Sequence, residues 1–301
     1  MSGLQEACVR SPKLAIFFVV ALLALPTFAQ TPNFSKTVKE FVRVQSARVV
    51  LTHVRVIDGT GVAAVEDQNI VIEGDKIVAV EKGSDVASAE GTTVLDLHGY
   101  SVMPGIVGMH NHFFYIAHHV AITSTLPVFE GDGSGRRPPV RQQALDAMSP
   151  EAREDFFLLR QRPASRPAPK VDPAMLFKRD MELERAFAAA GGLLLAGPDP
   201  TGDGDVLPGF GDQREMELLV EAGFSAVEAI RIATLNGAKY LGRDNQIGSV
   251  AKGKNADLVV IKGDPSKNIS DVENVEIVFK DGVGYDSSKL LESVKGRYGQ
   301  Y

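Results

Sequence analysis

Three side chains with the chemistry of metal ligands stand at suggestive positions. His110 and His112 lie two residues apart in "VMPGIVGMHNHFF", and Asp199 follows "LLLAGP". Side chains at i and i+2 of a β-strand share one face, so His110 and His112 can offer two imidazoles to one ion. The alternative is a structural pair, with one histidine packed and the other solvated. The spacing thus favours a metal site and leaves that alternative open.

Asp199 comes where a short buried strand is expected to end. In barrels and doubly wound sheets, active sites form at the carboxyl ends of parallel strands. A carboxylate there binds a metal ion or serves as a general base for water. The local sequence equally allows a turn aspartate beside Pro200 and Gly202. Three further loop acids are interpreted as solvating or capping residues: Asp203, Asp205 and Asp212.

The remaining histidines are expected to be structural. His53 and His98 fall in a strand-rich region, and no histidine follows His119 in the sequence. His118 and His119 are adjacent, so on a strand they would face opposite ways and at most one could approach a site.

Composition narrows the possible partners. The 301-residue chain has 44% apolar residues, 23% charged residues and a formal net charge of −6. These values are those of an ordinary globular protein of one large or two modest domains. The acidic balance, with no basic cluster, argues against nucleic acid and an anionic membrane surface as partners.

Residues 1–29 are typical of a secretory signal peptide. Arg10 and Lys13 precede the apolar run "LAIFFVVALLAL", and Ala29 ends a small-residue cleavage motif. The run is short for a bilayer span, although an uncleaved N-terminal anchor is the alternative. The single cysteine, Cys8, lies in this segment. We expect a periplasmic or secreted protein that has no disulfide and no membrane association after cleavage.

The elements that must position the candidate ligands come in two kinds. Alternating, valine-rich stretches predict β structure over 46–102 and again over 250–285, with Gly74-Asp75 as a hairpin turn. Between them, apolar runs at 104–112, 120–128 and 193–199 predict buried strands. Helices are expected over 145–160 and 174–190, and in "DQREMELLVEAG" and "AVEAIRIATLNGAKYLG". Ser225 and Glu228 form a capping-box pattern before the last of these helices.

Taken together, these stretches resemble the amidohydrolase superfamily, specifically its secreted imidazolonepropionase-like and prolidase-like members. The matching phrases, in order, are "RVIDGTG", "IVIEGDKIVAV", "VLDLHGYSVMPGIVGMHNH", "LLLAGPDP", "GFSAVEAIRIATLNGAKYLG", "IGSVAKGKNADLVVIKGDP" and "VEIVFKDGV". The resemblance implies an α/β fold, a (β/α)8 TIM-type barrel carrying a β-sandwich formed from both chain ends. The sandwich maps to 46–102 and 250–285, and the barrel to 103–249.

The resemblance also implies roles. His110, His112 and Asp199 map to metal ligands, Asp199 also moves the proton of the hydrolytic water, and Asp58 and Asp257 become sandwich turn residues. The implied cofactor is a divalent metal, most simply zinc, although iron, manganese or cobalt suit the same ligands. The implied reaction is hydrolysis of a small-molecule amide or cyclic amide.

The chain departs from this pattern in ways that bear on activity. The family's middle-strand lysine or glutamate and its later histidines have no counterpart, and Gly108 stands where the family usually has aspartate. The interval 103–249 is also far shorter than the roughly 250 residues of a complete barrel. We therefore expect an incomplete barrel that holds one ion at most and self-associates through exposed strand edges. The alternatives are an inactive truncated remnant, a subunit completed by a partner chain, and a binding module that uses the sandwich alone.

Overall fold

The computed structural model describes residues 33–83, 90–108, 121–132, 136, 140–161, 171–200, 206–207 and 209–298. Its strands are β1 Val42–Val44, β2 Arg48–Val56, β3 Val65–Glu73, β4 Lys76–Lys82, β5 Thr92–Asp96, β6 Tyr100–Pro104, β7 Ala121–Ser124, β8 Leu193–Ala196, β9 Leu258–Lys262, β10 Val275–Lys280 and β11 Val283–Asp286. Its α-helices are α1 Lys36–Lys39, α2 Leu126–Asp132, α3 Gln142–Ala147, α4 Pro150–Gln161, α5 Pro173–Ala189, α6 Gly211–Glu221, α7 Ala226–Arg231, α8 Gly237–Tyr240 and α9 Ser287–Ser293. A π-helical turn, Ile232–Asn236, joins α7 to α8, and a 3-10 helix covers Ile269–Glu273.

A large sheet unites both ends of the described chain. Its strand order is β1-β11-β10-β9-β6-β2-β3-β4, with β5 pairing beside β2. The two halves meet where β6 and β9 run antiparallel, with Val102 opposite Val260. Strands far apart in sequence thus share one hydrogen-bonded sheet, which fixes the segment that leaves β6 relative to the C-terminal part of the chain.

The large sheet is buried on both faces at strand β9. Leu258 and Val260 join the apolar cluster formed by the N-terminal strands, whereas Val259 and Ile261 join a cluster formed largely by helices. Successive side chains of a strand point to opposite faces, so the continuous run "LVVI" suits a strand covered on both sides. The β9 strand therefore lies between the two main clusters of the core.

The second sheet is a parallel pair, β7 and β8, in register from Ala121 opposite Leu193 to Ser124 opposite Ala196. Helix α5 lies in the connection between them and packs on β8. This is a β-α-β unit, the arrangement that parallel neighbours require. Its strands end together at Ser124 and Ala196, so the residues that follow share one edge.

The predicted buried strands are only partly correct. The strand expected over 104–112 is wrong in its described part, because β6 ends at Pro104 within the large sheet and 105–108 form no strand. The strand expected over 120–128 stops at Ser124, and α2 begins at Leu126. Pro127 lies in the first turn of α2, where proline is tolerated. The strand expected over 193–199 is confirmed over Leu193–Ala196.

Most of the predicted helices are present in the structure. The helix expected over 145–160 is confirmed in α4, Pro150–Gln161, but a break at 148–149 separates α4 from α3, and the Ser149 hydroxyl accepts a hydrogen bond from the Ala152 amide. Proline disfavours helical backbone at the preceding residue, which explains the break. The other predicted helices are confirmed, and Ser225 and Glu228 form the capping box.

The α/β class is confirmed, with a large sheet and a separate β-α-β unit. An incomplete barrel is not confirmed, since outside the large sheet the described residues contain a single pair of strands, the parallel β7 and β8. The β7–β8 pair is the part of the structure that carries the candidate site.

Candidate active site at the end of β8

Asp199 lies three residues past the end of β8. The Gly197 amide donates to the Ser124 carbonyl oxygen at 3.0 Å, which extends the β7–β8 pairing by one step. Asp199 is 7% exposed and adopts φ of 45°. Aspartate is among the few residues that enter this left-handed region readily, and buried residues with such backbones cluster at functional sites. The position agrees with the strand-end carboxylate expected from the sequence.

His110 and His112 lie outside the described residues, so the structure does not test their predicted pairing with Asp199. The described chain leads toward them as far as Gly108. A Cβ atom on Gly108 would lie 3.4 Å from Oδ1 of Asp212, in the first turn of α6. Gly108, the last described residue before the two histidines, therefore lies beside the N-terminal end of α6.

The same turn of α6 also contacts the loop that carries Asp199. A Cβ atom on Gly211 would lie 2.8 Å from Cβ of Pro198. Gly211 thus lies against Pro198, and its neighbour Asp212 lies against Gly108. The fold brings Gly108 and Pro198 to the same turn of α6, although some 90 residues separate them in sequence.

Asp212 differs from its predicted role. It was interpreted as a loop-solvating or capping residue, but it is half-buried within α6, and burial raises the pKa of its carboxyl group. Asp203 and Asp205, which received the same interpretation, lie outside the described residues. Asp212 is therefore a partly desolvated acid beside Gly108.

Two buried acids lie behind the strand ends, and sequence reasoning missed both. Glu184 on α5 is 5% exposed, and Glu215 on α6 is fully buried. The Ser124 hydroxyl donates to Oε2 of Glu184 at 2.8 Å. The available signal was helical spacing, because Glu184 shares the apolar face of Phe177 and Met181 on α5.

Both acids are biased toward the protonated form. Burial raises the pKa of Glu184 to about 8, against the lowering effect of the Ser124 hydroxyl. Burial and the charge of Glu184 raise the pKa of Glu215 well above its ordinary value. The Ser124 hydroxyl and the Leu126 amide oppose this increase in the pKa of Glu215 only in part. Neither oxygen of Glu215 accepts a hydrogen bond of good geometry. At neutral pH this pair can hold a proton.

A charged cluster ties α2 to α6 on the outer side. Arg214 donates from Nε and Nη2 to both oxygens of buried Glu130, and from Nη1 to Glu217 at 2.8 Å. Arg136 pairs with Glu130 and Glu221. Every acid of this cluster has an arginine partner, which makes it structural and contrasts it with the uncompensated Glu184 and Glu215.

Of the histidines expected to be structural, His53 lies in β2 of the large sheet and His98 in the turn between β5 and β6. Nδ1 of His53 lies 2.9 Å from Oδ1 of Asp67, and its ring makes an edge contact with His98. His118 and His119 lie outside the described residues.

Asp58 and Asp257 have the turn roles that were expected. Oδ1 of Asp58 accepts from the amide and hydroxyl of Thr60. Asp257 accepts from Nζ of Lys280 and from the Asp281 amide. Neither is a candidate for chemistry.

Within the described part of the chain, no three His, Cys, Asp or Glu side chains gather closely enough to hold a metal ion. The predicted set includes the two undescribed histidines, so it stays a prediction. No helix in the described ranges is long and apolar enough to cross a membrane.

The fold and site define an α/β protein with a buried carboxylate at a parallel strand end. The amidohydrolase family model matches residues 187–284, from the end of α5 through β8, Asp199 and β9 to β11. A search of curated proteins finds no match. The predicted resemblance to the amidohydrolase superfamily is confirmed, and 187–284 is the segment that matches this family of hydrolases.

Solved structures with a similar fold include a Xaa-Pro dipeptidase with bound methionine, with a TM-score of 0.53 at 15% identity. That alignment covers 80% of this chain and 100% of the other. A putative prolidase from Bifidobacterium longum has a TM-score of 0.52 at 15% identity, with coverage of 83% and 98%. At this identity the likeness concerns the fold.

Proposed function

We propose that the protein is a secreted or periplasmic metal-dependent hydrolase that cleaves amide-type C–N bonds, cyclic amides included, in small molecules or peptide-like substrates. One divalent cation, with zinc as the first candidate, is held by His110, His112 and Asp199. Two imidazoles and a carboxylate match the three-ligand sets of catalytic zinc sites, which keep a position open for water.

The observation that carries this proposal is the convergence of two distant segments on the first turn of α6. Gly108 lies against Asp212, and Pro198 lies against Gly211. His110 is two residues beyond Gly108, a span of at most roughly 7 Å of extended chain. The contacts of Gly108 and Pro198 with the same turn of α6 support the proposal that His110 and Asp199 share one site.

The cation and Asp199 have different chemical roles in the proposed reaction. The cation, when bound, supplies Lewis-acid activation of water near neutral pH. Asp199 is buried and follows a strand end, so its carboxylate is placed to accept the proton of the attacking water and pass it to the leaving nitrogen. In this proposal β7 and β8 are what remains of the barrel. Among the described strands they pair only with each other, and their outer edges would allow self-association.

Elemental analysis of the purified, monodisperse protein tests the proposal. About one equivalent of metal is expected, and His110→Ala should remove it. His53→Ala is the matched control, because His53 lies in the large sheet against Asp67. Equal metal content in both variants would contradict the ligand assignment.

A second candidate is a non-catalytic protein, either a truncated remnant or a subunit completed by a partner chain. The observation that favours it is that, outside the large sheet, the described residues form only the two-stranded parallel pair β7–β8, far short of the eight strands of a closed barrel. A metal-free protein with a cooperative melt supports this candidate over the hydrolase. Gain of metal and amidase activity on adding a partner chain identifies the subunit form.

A further inference from the structure

Two buried acids and one serine hydroxyl meet at the junction of β7, α5 and α6. Glu184 of α5, Glu215 of α6 and Ser124 of β7 are all buried. The Ser124 hydroxyl donates to Oε2 of Glu184 at 2.8 Å. Among the described residues, neither oxygen of Glu215 has a hydrogen-bond partner. An ionised carboxylate that is buried without partners is so costly that the group takes up a proton instead.

Ser124 lies beside both acids but can donate to only one of them. A hydroxyl carries one proton and two acceptor lone pairs. The proton of Ser124 is directed to Glu184, so Glu215 receives none from it. A protonated Glu215 can instead donate to the oxygen of Ser124, which lies close enough to affect its pKa. The protonated pair therefore forms a chain from Glu215 through Ser124 to Glu184, and the doubly ionised pair cannot.

Neighbouring acids add to this preference for the protonated state. Burial is the main cause of the raised pKa of Glu184, and the charge of Asp180, one turn earlier on α5, adds to it. Burial and the charge of Glu184 raise the pKa of Glu215, and Asp212, one turn earlier on α6, adds to that increase. Four acids thus face one another across the contact between α5 and α6.

The arginines next to these acids in sequence bind elsewhere. A Cβ atom on Gly223 would collide with Nη1 of Arg185, so that guanidinium lies beside the end of α6. Arg214 donates to Glu130 of α2 and to Glu217. The strands β7 and β8 contain no titratable residue. Among the described residues, the charged groups that shift the pKa of either buried acid are themselves acids, so a proton is what neutralises the pair.

Helix α5 is held at this junction by few other buried side chains. Its buried residues are Phe177, Met181 and Glu184, whereas α6 buries six residues. Helix α5 packs on β8 and α2, and Leu183 beside Glu184 is exposed. Local opening costs least where few buried apolar contacts are lost. Helix α5 is therefore the element that separates first when Glu184 becomes charged.

We propose that the proton held by Glu184, Ser124 and Glu215 is a pH-operated latch, which holds α5 against the end of β7 and lets α5 open locally as pH rises. The closed helix is stabilised fully below the pKa of the carboxyl in the open state, near 4.5. That stabilisation is lost as pH rises toward the closed-state pKa of Glu184, about 8. Opening of α5 uncovers β8, on which it packs. The latch is independent of metal binding and of the proposed hydrolysis.

Hydrogen exchange of backbone amides at several pH values between 5.5 and 8 tests the latch, after correction for the intrinsic pH dependence of exchange. Amides of 173–189 in α5 should be less protected than those of 258–262 in β9, because α5 opens by itself. Protection of α5 should also fall with rising pH, by up to about tenfold per pH unit for one proton. Equal protection of α5 and β9, or protection of α5 that does not change with pH, overturns the latch.

The double variant Glu184→Gln/Glu215→Gln assigns the pH dependence to this pair. It keeps the size of both side chains and removes both titrations, so the protection of α5 should no longer depend on pH. Glu217→Gln is the matched control, because Glu217 is also a buried acid of α6 but pairs with Arg214 at 2.8 Å. The control should keep the pH dependence. Its loss in Glu217→Gln, or its persistence in the double variant, overturns the assignment.

Ser124→Ala keeps both acids and is a second variant in case the double variant does not fold. The Ser124 hydroxyl lowers the pKa of Glu184 and Glu215, against the larger effect of burial. Its removal should therefore raise the pH at which the protection of α5 stops falling, in measurements extended to pH 9. An equal loss of protection at every pH, without this shift, is the result of a merely structural serine and overturns its part in the latch.

Discussion

Ser124 and Glu184 meet in the interior, where the hydroxyl of the last residue of β7 donates to Oε2 of the glutamate across 2.8 Å. This hydrogen bond is too weak to offset the loss of water around the carboxylate, because burial still raises the pKa of Glu184 to about 8. Glu215 lies close enough for the two charges to repel. The end of β7 therefore rests on two acids that are easier to keep neutral than charged.

The first prediction concerns pH. A carboxyl group whose pKa is raised on folding stabilises the protein fully below its unfolded pKa, near 4.5, and this contribution is lost as pH rises toward the folded pKa of about 8. The free energy of unfolding should therefore fall across this window, by at most about 1.4 kcal/mol per pH unit for one proton. Urea unfolding at several pH values measures the slope.

Glu184→Gln should flatten that slope, because an amide does not titrate. Groups whose pKa is lowered on folding, such as Glu221 and Glu228, act in the opposite direction but have finished titrating near pH 5. A slope between pH 5.5 and 8 that persists unchanged in Glu184→Gln would contradict the assignment to this pair.

The second prediction contrasts two glutamates on one helix. Glu215→Met should leave stability at pH 8 unchanged or raise it, by up to about 2 kcal/mol, because it removes a buried group without hydrogen bonds. Glu217→Met should lower stability by roughly 1 to 3 kcal/mol, because Glu217 pairs with Arg214 at 2.8 Å. Chemical denaturation of both variants checks the difference in sign. Destabilisation of equal size would mean that Glu215 has a partner.

The third prediction concerns Gly237. Alanine has a higher helix propensity than glycine by about 1 kcal/mol, and the site has ordinary helical φ of −60°. The clash with the Val107 carbonyl oxygen should nevertheless dominate, because backbone yields less than a flexible side chain. We expect Gly237→Ala to lower the melting temperature. A raised melting temperature would show that 105–108 moves aside freely.

The fourth prediction concerns the capping box. The Ser225 hydroxyl accepts from the Glu228 amide, and Oε2 of Glu228 accepts from the Ser225 amide at 2.8 Å. Ser225→Ala should cost about 1 kcal/mol, since it leaves an amide of the first turn of α7 without its partner. Ser225→Thr keeps the hydroxyl and should restore most of the loss. Thermal or urea unfolding measures both, and a neutral alanine variant would contradict the prediction.

Local features of the sequence were the ones that could be predicted. The capping box, the Gly74-Asp75 turn and the alternating strands depend on neighbouring residues, so their patterns are legible along the chain. Boundaries failed where proline had two interpretations, as at Pro127 and Pro150. Pro127 is the second residue of α2 and Pro150 the first of α4, and in the first turn of a helix the missing N–H costs nothing.

By itself, the sequence determined the amidohydrolase resemblance and marked Asp199 as a strand-end carboxylate, because type and spacing carry that information. Only the tertiary structure placed Gly108 beside Asp212 and Pro198 beside Gly211, and buried Glu184 and Glu215 behind β7. Those relationships join residues from separate elements. The physical reason is that burial and the pKa of an acid depend on which surfaces pack together, and packing is decided by all the elements at once.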